Sequence, residues 1–395
     1  MKSKKGAGRW LILLLLLASF AVTFLTRFVW SPVSKTVMEE LNLNNVAAGS
    51  FMSAFFIGYV ITQIPGGTLA DRVGVRITLS VGLLISGVAT IGMSLINSFG
   101  AGIGLRVVTG LGAGVVMSCC TKVISDNFEQ KDRGIAFGIL LVGPTLGLTL
   151  ANKMGAAILT SYGWRSAFRV VGCVAVVIAA LAAIFIRNTK SQAGVRPNLL
   201  TGIRIVFTTR NLICVCFGGF FYMFLNLGVS TWANTYLNNL GMSPNQAAGI
   251  MTIYSIGGVI GSLLTGVIVR AIHLSMKKYL IVVYILISVF TVLFGNTTGT
   301  LALSVTGFLY GFLTYLPNAH LNALVTKYTP SGLSASTMGV QNCVFQMASI
   351  LSPMIVGGIV DKTGNFSACW ITLAIVNLAG VFFWLLLNGE QKNSH

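Results

Sequence analysis

Apolar positions in this chain come in long unbroken runs rather than in the short alternations of a soluble fold. A helix that crosses a lipid bilayer needs about 20 mostly apolar residues, and twelve runs reach that length. They lie at 10–33, 46–70, 75–96, 99–123, 134–160, 165–187, 209–237, 245–270, 278–296, 299–326, 334–360 and 366–388. The pattern predicts an all-α membrane protein with twelve transmembrane helices.

The longest polar interval, Arg187 to Arg210, falls halfway along the chain. It predicts an N-terminal six-helix bundle at 1–187, a cytoplasmic linker at 188–208 and a C-terminal six-helix bundle at 209–395. The basic and then apolar N-terminus is similar to a signal peptide, but no small-x-small cleavage site closes it. We therefore expect residues 10–33 to be a retained first helix.

Lysine and arginine are distributed unequally between the two sides of the predicted helices. With the N-terminus inside, cytoplasmic segments hold nineteen of the 26 basic residues. The outer segments hold four, Lys35, Arg165, Arg169 and Lys362. Because positive charge accumulates on the cytoplasmic side, both termini are predicted to be cytoplasmic and the protein to lie in the bacterial inner membrane.

Composition excludes several other classes of protein. The chain is 55% hydrophobic and 9% charged, whereas soluble proteins carry about 25% charged residues. The net charge of +18 is strung out between apolar runs rather than clustered, which argues against nucleic-acid binding. The seven cysteines have no CxxC spacing, and the chain contains no GxSxG, HExxH or P-loop pattern. We expect no metal, no cofactor and no enzymatic activity.

The two predicted halves resemble each other at a constant offset of 199 residues. The coinciding pairs include Met52 with Met251, Ile57-Gly58 with Ile256-Gly257, Gly67 with Gly266, and Arg27 with Asn226. Two similar six-helix bundles, related by an axis along the membrane normal, are the parallel-repeat plan of many transporters. This plan places a substrate site near the membrane midplane.

Two motifs carry a resemblance to a known superfamily. The loop after the second helix reads GGTLADRVGVR, with Gly67, Asp71, Arg72, Gly74 and Arg76 at spaced positions. The fourth helix reads LRVVTGLGAG, an R-x-x-x-G-x-G pattern that starts at Arg106. Together with the helix count and the central basic loop, these motifs resemble the major facilitator superfamily. The resemblance implies that the loop residues form a conformational latch; an ordinary cytoplasmic turn is the alternative.

Within that superfamily, the stretches 53–67 and 339–366 resemble the anion:cation symporter family of sugar-acid and organic-anion transporters. That resemblance implies that Arg27 in the first helix meets a substrate carboxylate. It also nominates Tyr59, Gln63 and Asn342. The chain departs from the family at Thr26, where sugar-acid members often have Asp, and after Gly112, where they can have Glu. Both departures put proton symport by that route in doubt.

Three cations, Arg27, Arg106 and Lys153, lie inside apolar runs, while all eight acidic residues fall in loops or at helix ends. A charge at the bilayer centre costs at least about 3 kcal/mol on insertion scales. A central cavity that receives an anion would offset this cost. Arg106 could instead bond to neighbouring helix backbone, and Lys153 could extend to the outer surface.

These observations predict a monomeric carrier of small organic anions that works by alternating access. It would be coupled to protons or to a counter-anion. His320 is a candidate proton carrier, because imidazole titrates near neutral pH, although its position favours a hydrogen-bonded packing role. The stretch GILLVGPTLGLTL at 138–150 partly resembles a drug-antiporter motif. Drug efflux is therefore one alternative, and a non-transporting membrane sensor is another.

Overall fold

The structure, a computed structural model, describes residues 7–188, 199–330 and 333–388. Every regular element in those ranges is helical, and no strand occurs among them, in agreement with the all-α prediction. The helices of the first half are α1 (Ala7–Phe28), α2 (Trp30–Glu40), α3 (Asn45–Arg72), α4 (Val75–Gly92), α5 (Phe99–Gly114), α6 (Val116–Asn127), α7 (Gln130–Leu140) and α8 (Gly143–Phe185). Those that follow are α9 (Leu199–Thr208), α10 (Arg210–Asn239), α11 (Pro244–Ile272), α12 (Met276–Asn296), α13 (Thr300–Tyr315), α14 (Asn318–Tyr328), α15 (Ser334–Thr363) and α16 (Phe366–Leu386).

Eleven helical segments of the described chain are long and apolar enough to cross a membrane. One of them, Gln130–Phe185, has 56 residues and contains Gly163, whose φ of 77° breaks the α8 helix. At a rise of about 1.5 Å per residue, this segment is long enough for two crossings of a hydrocarbon core of about 30 Å. The predicted count of twelve requires two crossings there.

Several predicted spans are built from two helices because a proline interrupts the backbone ladder. Pro32 is the third residue of α2. It has no N–H to donate to the Phe28 carbonyl four residues earlier, and its ring would clash with that carbonyl in a continuous helix. Helix α1 therefore ends at Phe28. Pro317 separates α13 from α14 in the same way. The first of these breaks lies directly after the candidate residue Arg27.

The helices assemble into two compact units. Unit 1 comprises the described residues of 1–193 together with 230–252, and unit 2 comprises those of 194–229 and 253–395. The last part of α10 and the start of α11 thus pack within unit 1, although the predicted domain boundary assigned them to the C-terminal bundle. Of the predicted linker 188–208, residues 189–198 lie outside the described chain, and 199–208 form α9.

Unit 1 contains a helix pair whose backbones touch. A Cβ built on Gly58 of α3 would lie 2.0 Å from the Val107 carbonyl oxygen of α5. A Cβ on Gly110 of α5 would lie 2.0 Å from the Phe55 carbonyl oxygen of α3. Small residues permit such close approach between membrane helices. The second glycine belongs to the R-x-x-x-G-x-G motif, so the motif has a packing explanation.

Unit 2 repeats this arrangement between α11 and α13. A Cβ on Gly257 would lie 2.2 Å from the Phe308 carbonyl oxygen, and one on Gly311 would lie 1.9 Å from the Tyr254 carbonyl oxygen. Gly257 is the residue that the 199-residue offset pairs with Gly58. The weak sequence repeat therefore corresponds to a helix–helix contact that recurs inside each unit.

Candidate functional site

Arg27 is the penultimate residue of α1, and its side chain is buried with 6% of its surface exposed. Five aromatic rings surround its guanidinium carbon. The distances to the ring centroids are 4.4 Å for Phe24, 5.8 Å for Phe28, and 4.9 Å for each of Phe55, Phe56 and Tyr59. Phe24 and Phe28 share a face of α1 with Arg27, and the other three rings come from α3. We call this group the Arg27 cage.

The Arg27 guanidinium is incompletely satisfied. Nitrogens Nε and Nη2 are buried and have no hydrogen-bond partner. The Tyr59 side chain lies alongside this guanidinium, with its ring centroid 4.9 Å from the guanidinium carbon. Arg27 takes part in none of the ion pairs Arg9–Asp132, Lys122–Asp71, Lys131–Glu129 and Arg165–Glu40 of the described chain. The faces of the rings supply a cation–π attraction, but they do not replace hydrogen bonds to two N–H groups.

Arg106, in contrast, is fully buried, and each of its three guanidinium nitrogens has a hydrogen-bond partner. Its Nε donates to the Phe51 carbonyl at 3.1 Å, Nη1 to the Thr26 carbonyl at 3.0 Å, and Nη2 to the Arg27 carbonyl at 2.9 Å. Nη2 also lies 3.7 Å from the Met52 sulfur. With all three nitrogens committed to α1 and α3, the guanidinium has little capacity left to bind a ligand directly.

The reason that α1 can accept these bonds is local. The last carbonyls of a helix lack intrahelical partners, and the break before α2 places the carbonyls of Thr26 and Arg27 in such a final turn. Arg106 caps that turn from α5. It therefore fixes the backbone from which the Arg27 side chain projects, and its charge lies near the helix C-terminus that favours a cation.

Thr26, at the position where the family resemblance predicts Asp, is completely buried. Its hydroxyl donates to the Thr23 carbonyl at 3.1 Å and lies 3.4 Å from the Ser86 hydroxyl of α4. The side chain is thus a neutral packing group between two helices.

The remaining predicted binding residues have different environments. Gln63 of α3 is half-buried, one helical turn after Tyr59. Lys153 of α8 is exposed. Asn342, half-buried on α15, belongs to unit 2, and its neighbour Gln341 is buried with an amide nitrogen that has no partner. The structure therefore gathers Arg27, Tyr59 and Arg106 within unit 1, while Asn342 lies in the other unit.

The predicted latch residues lie around the α3–α4 turn. Asp71 forms an ion pair with Lys122 of α6, whose ammonium also donates to the Ala70 carbonyl at 3.3 Å. Gly74 has φ 98°, a conformation that favours glycine, and a Cβ there would lie 2.6 Å from the Asn188 side chain. Gly67 has open space around it, and Arg72 and Arg76 are exposed.

His320 of α14 belongs to a network in unit 2. Its Nε2 lies 2.9 Å from the Thr265 hydroxyl, which is also 2.9 Å from the Tyr279 hydroxyl and donates to the Leu316 carbonyl at 2.9 Å. Since Thr265 has one hydroxyl proton and the carbonyl can only accept, Tyr279 and His320 are assigned as donors to the Thr265 oxygen. This assignment gives the imidazole a packing role.

Sequence reasoning did not identify a second polar cluster in unit 1. The Asn234 amide nitrogen donates to the Asn152 amide oxygen at 2.7 Å and to the Ser31 hydroxyl at 3.0 Å. The Ser34 and Thr235 hydroxyls lie 2.8 Å apart beside it. These side chains come from α2, α8 and α10, and all are buried. The presence of these polar residues inside apolar runs was visible in the sequence. Which of them form hydrogen bonds with each other depends on the rotation of each helix about its axis.

The aromatic members of the Arg27 cage also escaped prediction, apart from Tyr59. The spacing of Phe24 and Phe28 around Arg27 on one helix was available in the sequence. The contribution of Phe55 and Phe56 required the position of α3. Lys122, the partner of Asp71, had no local signal, because 51 residues separate the two.

Comparison with known proteins places the chain among transporters. A sequence profile of the Major Facilitator Superfamily matches residues 15–353. The "Hexuronate transporter" of Bacillus subtilis (strain 168) is 24% identical over 91% of this chain and 90% of its own length. The "Probable galactarate/D-glucarate transporter GarP" of Escherichia coli (strain K12) is 25% identical over 99% and 97%. The "Probable sulfoacetate transporter SauU" of Cupriavidus necator is 26% identical over 98% and 96%.

Solved structures share the fold at lower identity. A bacterial homologue of the human lysosomal transporter Spinster, in an inward-facing and unoccupied conformation, aligns with a TM-score of 0.78, 19% identity, and coverage of 98% of this chain and 95% of that one. A D-xylose-proton symporter aligns with a TM-score of 0.78, 14% identity, and coverage of 97% and 99%.

Proposed function

From the premise that this chain belongs to the Major Facilitator Superfamily, we propose that it carries small organic anions across the bacterial inner membrane. The superfamily resemblance predicted from the sequence is confirmed, and so is the prediction of a transporter rather than an enzyme. Relatives named for hexuronate, galactarate or glucarate, and sulfoacetate support an anionic substrate for this chain. Alternating access is the mechanism that we propose for it.

The observation that carries the proposal is the unsatisfied Arg27 guanidinium. A buried charge without partners is costly, and two free N–H groups, on Nε and Nη2, match two oxygens of one carboxylate or sulfonate. No described acidic side chain pairs with this arginine. An anionic substrate would therefore complete the site.

The Arg27 cage sets the strength of that interaction. The rings exclude water from the guanidinium, and charge-assisted hydrogen bonds gain strength where the dielectric constant is low. The same rings partly stabilise the cation by cation–π attraction when no anion is bound. We assign Tyr59 to orienting the guanidinium or the bound anion.

Arg106 is, on our proposal, a positioning residue rather than a ligand-binding one, because it holds the carbonyls at the end of α1. Gln63, Lys153 and Asn342 remain candidates for contacts with the rest of the substrate. Asp71 and Lys122, with Arg72, Arg76 and the turn glycines, are proposed to form the conformational latch at the membrane face.

Coupling has two candidate forms. Proton symport follows from the family resemblance and would need a titrating group such as His320. Anion exchange follows from the charges, since Thr26 replaces the usual carboxylate and the cationic site lacks an acidic partner among the described residues. An empty cationic site would reorient slowly, so a counter-anion on the return path would speed turnover.

The test is uptake of radiolabelled galactarate, glucuronate and sulfoacetate into proteoliposomes that contain the purified protein. Arg27→Lys keeps the charge but removes the two-nitrogen geometry. Because a hydrogen bond to a charged group contributes about 1.5–3 kcal/mol, we expect uptake at low substrate to fall by about 10- to 100-fold. Arg270→Lys, an equivalent change at an exposed position of α11, should leave uptake unchanged.

Loading the vesicles with unlabelled anion separates the two forms of coupling. Exchange predicts faster uptake of label from the loaded vesicles without a pH gradient, whereas symport predicts uptake driven by external acid. Equal uptake by the Arg27→Lys and Arg270→Lys proteins would refute the assignment of Arg27. Absence of anion flux together with changed resistance to lipophilic drugs would favour the efflux alternative.

A further inference from the structure

Helix α9 has an exposed apolar face that the transport function does not explain. Leu200, Ile203 and Phe207 are 78%, 45% and 52% exposed. They are spaced three and four residues apart, so they form one stripe along the helix. Arg204 is exposed beside the stripe. We call this face the α9 stripe.

The opposite face of α9 is fixed to unit 2. Val206 is fully buried against Cys216 of α10 and Val340 of α15. A Cβ on Gly202 would lie 2.5 Å from the Ser336 carbonyl oxygen of α15, so the two helices touch through their backbones. The α9 helix therefore has a defined orientation, with one face on the protein and the stripe turned away from it.

The position of α9 along the chain places it at the membrane boundary. It has ten residues, about 15 Å of helix, which is half of what a crossing of about 30 Å requires. It ends two residues before Arg210, where the spanning helix α10 begins. A short helix at this point must run along the bilayer surface or leave it, and its apolar stripe favours the surface.

The charges of unit 2 indicate which lipids lie at this surface. If successive spans alternate in direction, the α10 start, the α11–α12 turn and the α14 end share one side of the membrane. Six of the seven described basic residues of unit 2 lie on that side: Arg204, Arg210, Arg270, Lys277, Lys278 and Lys327. Lys362 lies on the other. Positive charge at a membrane boundary is attracted to anionic headgroups.

We propose that α9 is an interfacial helix that binds the anionic headgroup layer of the cytoplasmic leaflet. The α9 stripe enters the boundary between headgroups and acyl chains, and Arg204 binds lipid phosphate. Because the other face of α9 touches the backbone of α15, a change in the depth of α9 must be accommodated by α15. Anionic lipid would then stabilise one position of a helix that also carries Asn342.

Hydrogen–deuterium exchange of the full-length protein in nanodiscs tests the proposal without any transport measurement. The nanodiscs contain dioleoylphosphatidylcholine alone or with 30% dioleoylphosphatidylglycerol. We expect the phosphatidylglycerol to slow exchange of the peptide 199–208 by about fivefold, the gain expected from one basic residue near an anionic surface. Arg204→Gln should abolish this difference between the two lipids.

Arg270→Gln is the matched control, because it removes the same charge from an exposed position on the same side. It should preserve the effect of phosphatidylglycerol on α9. Ile203→Ser should speed exchange of α9 in both lipids, while an unchanged α16 peptide reports that the protein is folded. Equal exchange of wild-type α9 in both lipids would overturn the proposal. The proposal would also be overturned if exchange of α9 slowed with the number of protein copies per nanodisc, since the α9 stripe would then contact a second copy rather than lipid.

Discussion

Gly110→Ala is the substitution for which the structure gives the sharpest expectation. The added methyl group would lie 2.0 Å from the Phe55 carbonyl oxygen and 2.8 Å from the Tyr59 backbone nitrogen. Backbone atoms cannot rotate away as a side-chain end can. Helices α3 and α5 must therefore separate by about 1.4 Å to restore an ordinary contact of about 3.4 Å.

That separation has a consequence one turn away on α5. The bond from Arg106 Nε to the Phe51 carbonyl is 3.1 Å long, and an added 1.4 Å or so would break it. Overpacking costs about 1–3 kcal/mol, and loss of a charge-assisted bond costs about 1.5–3 kcal/mol. Alanine regains about 1 kcal/mol of helix propensity. The net loss of unfolding free energy is about 1.5–5 kcal/mol.

Gly104→Ala is the matched control on the same helix, because a Cβ at that position meets nothing within 4 Å. It should keep or raise stability by up to about 1 kcal/mol. Denaturation of the two purified variants in one detergent, followed by circular dichroism, measures the difference. Anion uptake should fall by at least about tenfold in Gly110→Ala, since Arg106, which holds the end of α1, loses its bond to α3 and no longer fixes Arg27 relative to Tyr59 of α3. If Gly110→Ala proves as stable and active as Gly104→Ala, the backbone contact between α3 and α5 is refuted.

Three further variants test other parts of the structure. Asp71→Asn should reduce turnover, because Asp71 and Lys122 belong to the proposed conformational latch. The unfolding temperature should change little, since an exposed ion pair is worth about 0–1 kcal/mol. A large loss of stability would show that the pair is structural. Asn152→Leu should lower unfolding free energy by about 1–3 kcal/mol, because one N–H of the Asn234 amide loses its acceptor while the amide keeps its bond to the Ser31 hydroxyl; unchanged stability would refute this hydrogen bond. His320→Gln keeps a nitrogen donor near the position of Nε2 but cannot titrate. If His320 only packs, the pH dependence of uptake should stay the same, whereas a flattened pH profile would support His320 as the proton carrier.

The sequence by itself determined where the membrane segments lie and what kind of protein they form. Apolar runs of about 20 residues are a local signal, because each helix satisfies its own backbone in lipid. Arg27 was identified from the same local signal. A charge inside an apolar run is costly in lipid, so it needs a partner however the helices are arranged. The motifs at Gly67–Arg76 and at Arg106 then sufficed for the superfamily, which the matched profile confirms.

Only the tertiary structure decided what the buried cations contact. Hydropathy did not distinguish Arg106 from Arg27. Each nitrogen of Arg106 donates to a carbonyl 55, 79 or 80 residues away, whereas Arg27 keeps two free nitrogens inside an aromatic cage. That difference depends on how α1, α3 and α5 are rotated about their axes and how closely Gly58 and Gly110 let them approach. Hydropathy places a residue within the membrane, but helix rotation and close contact between helices set its hydrogen-bond partners.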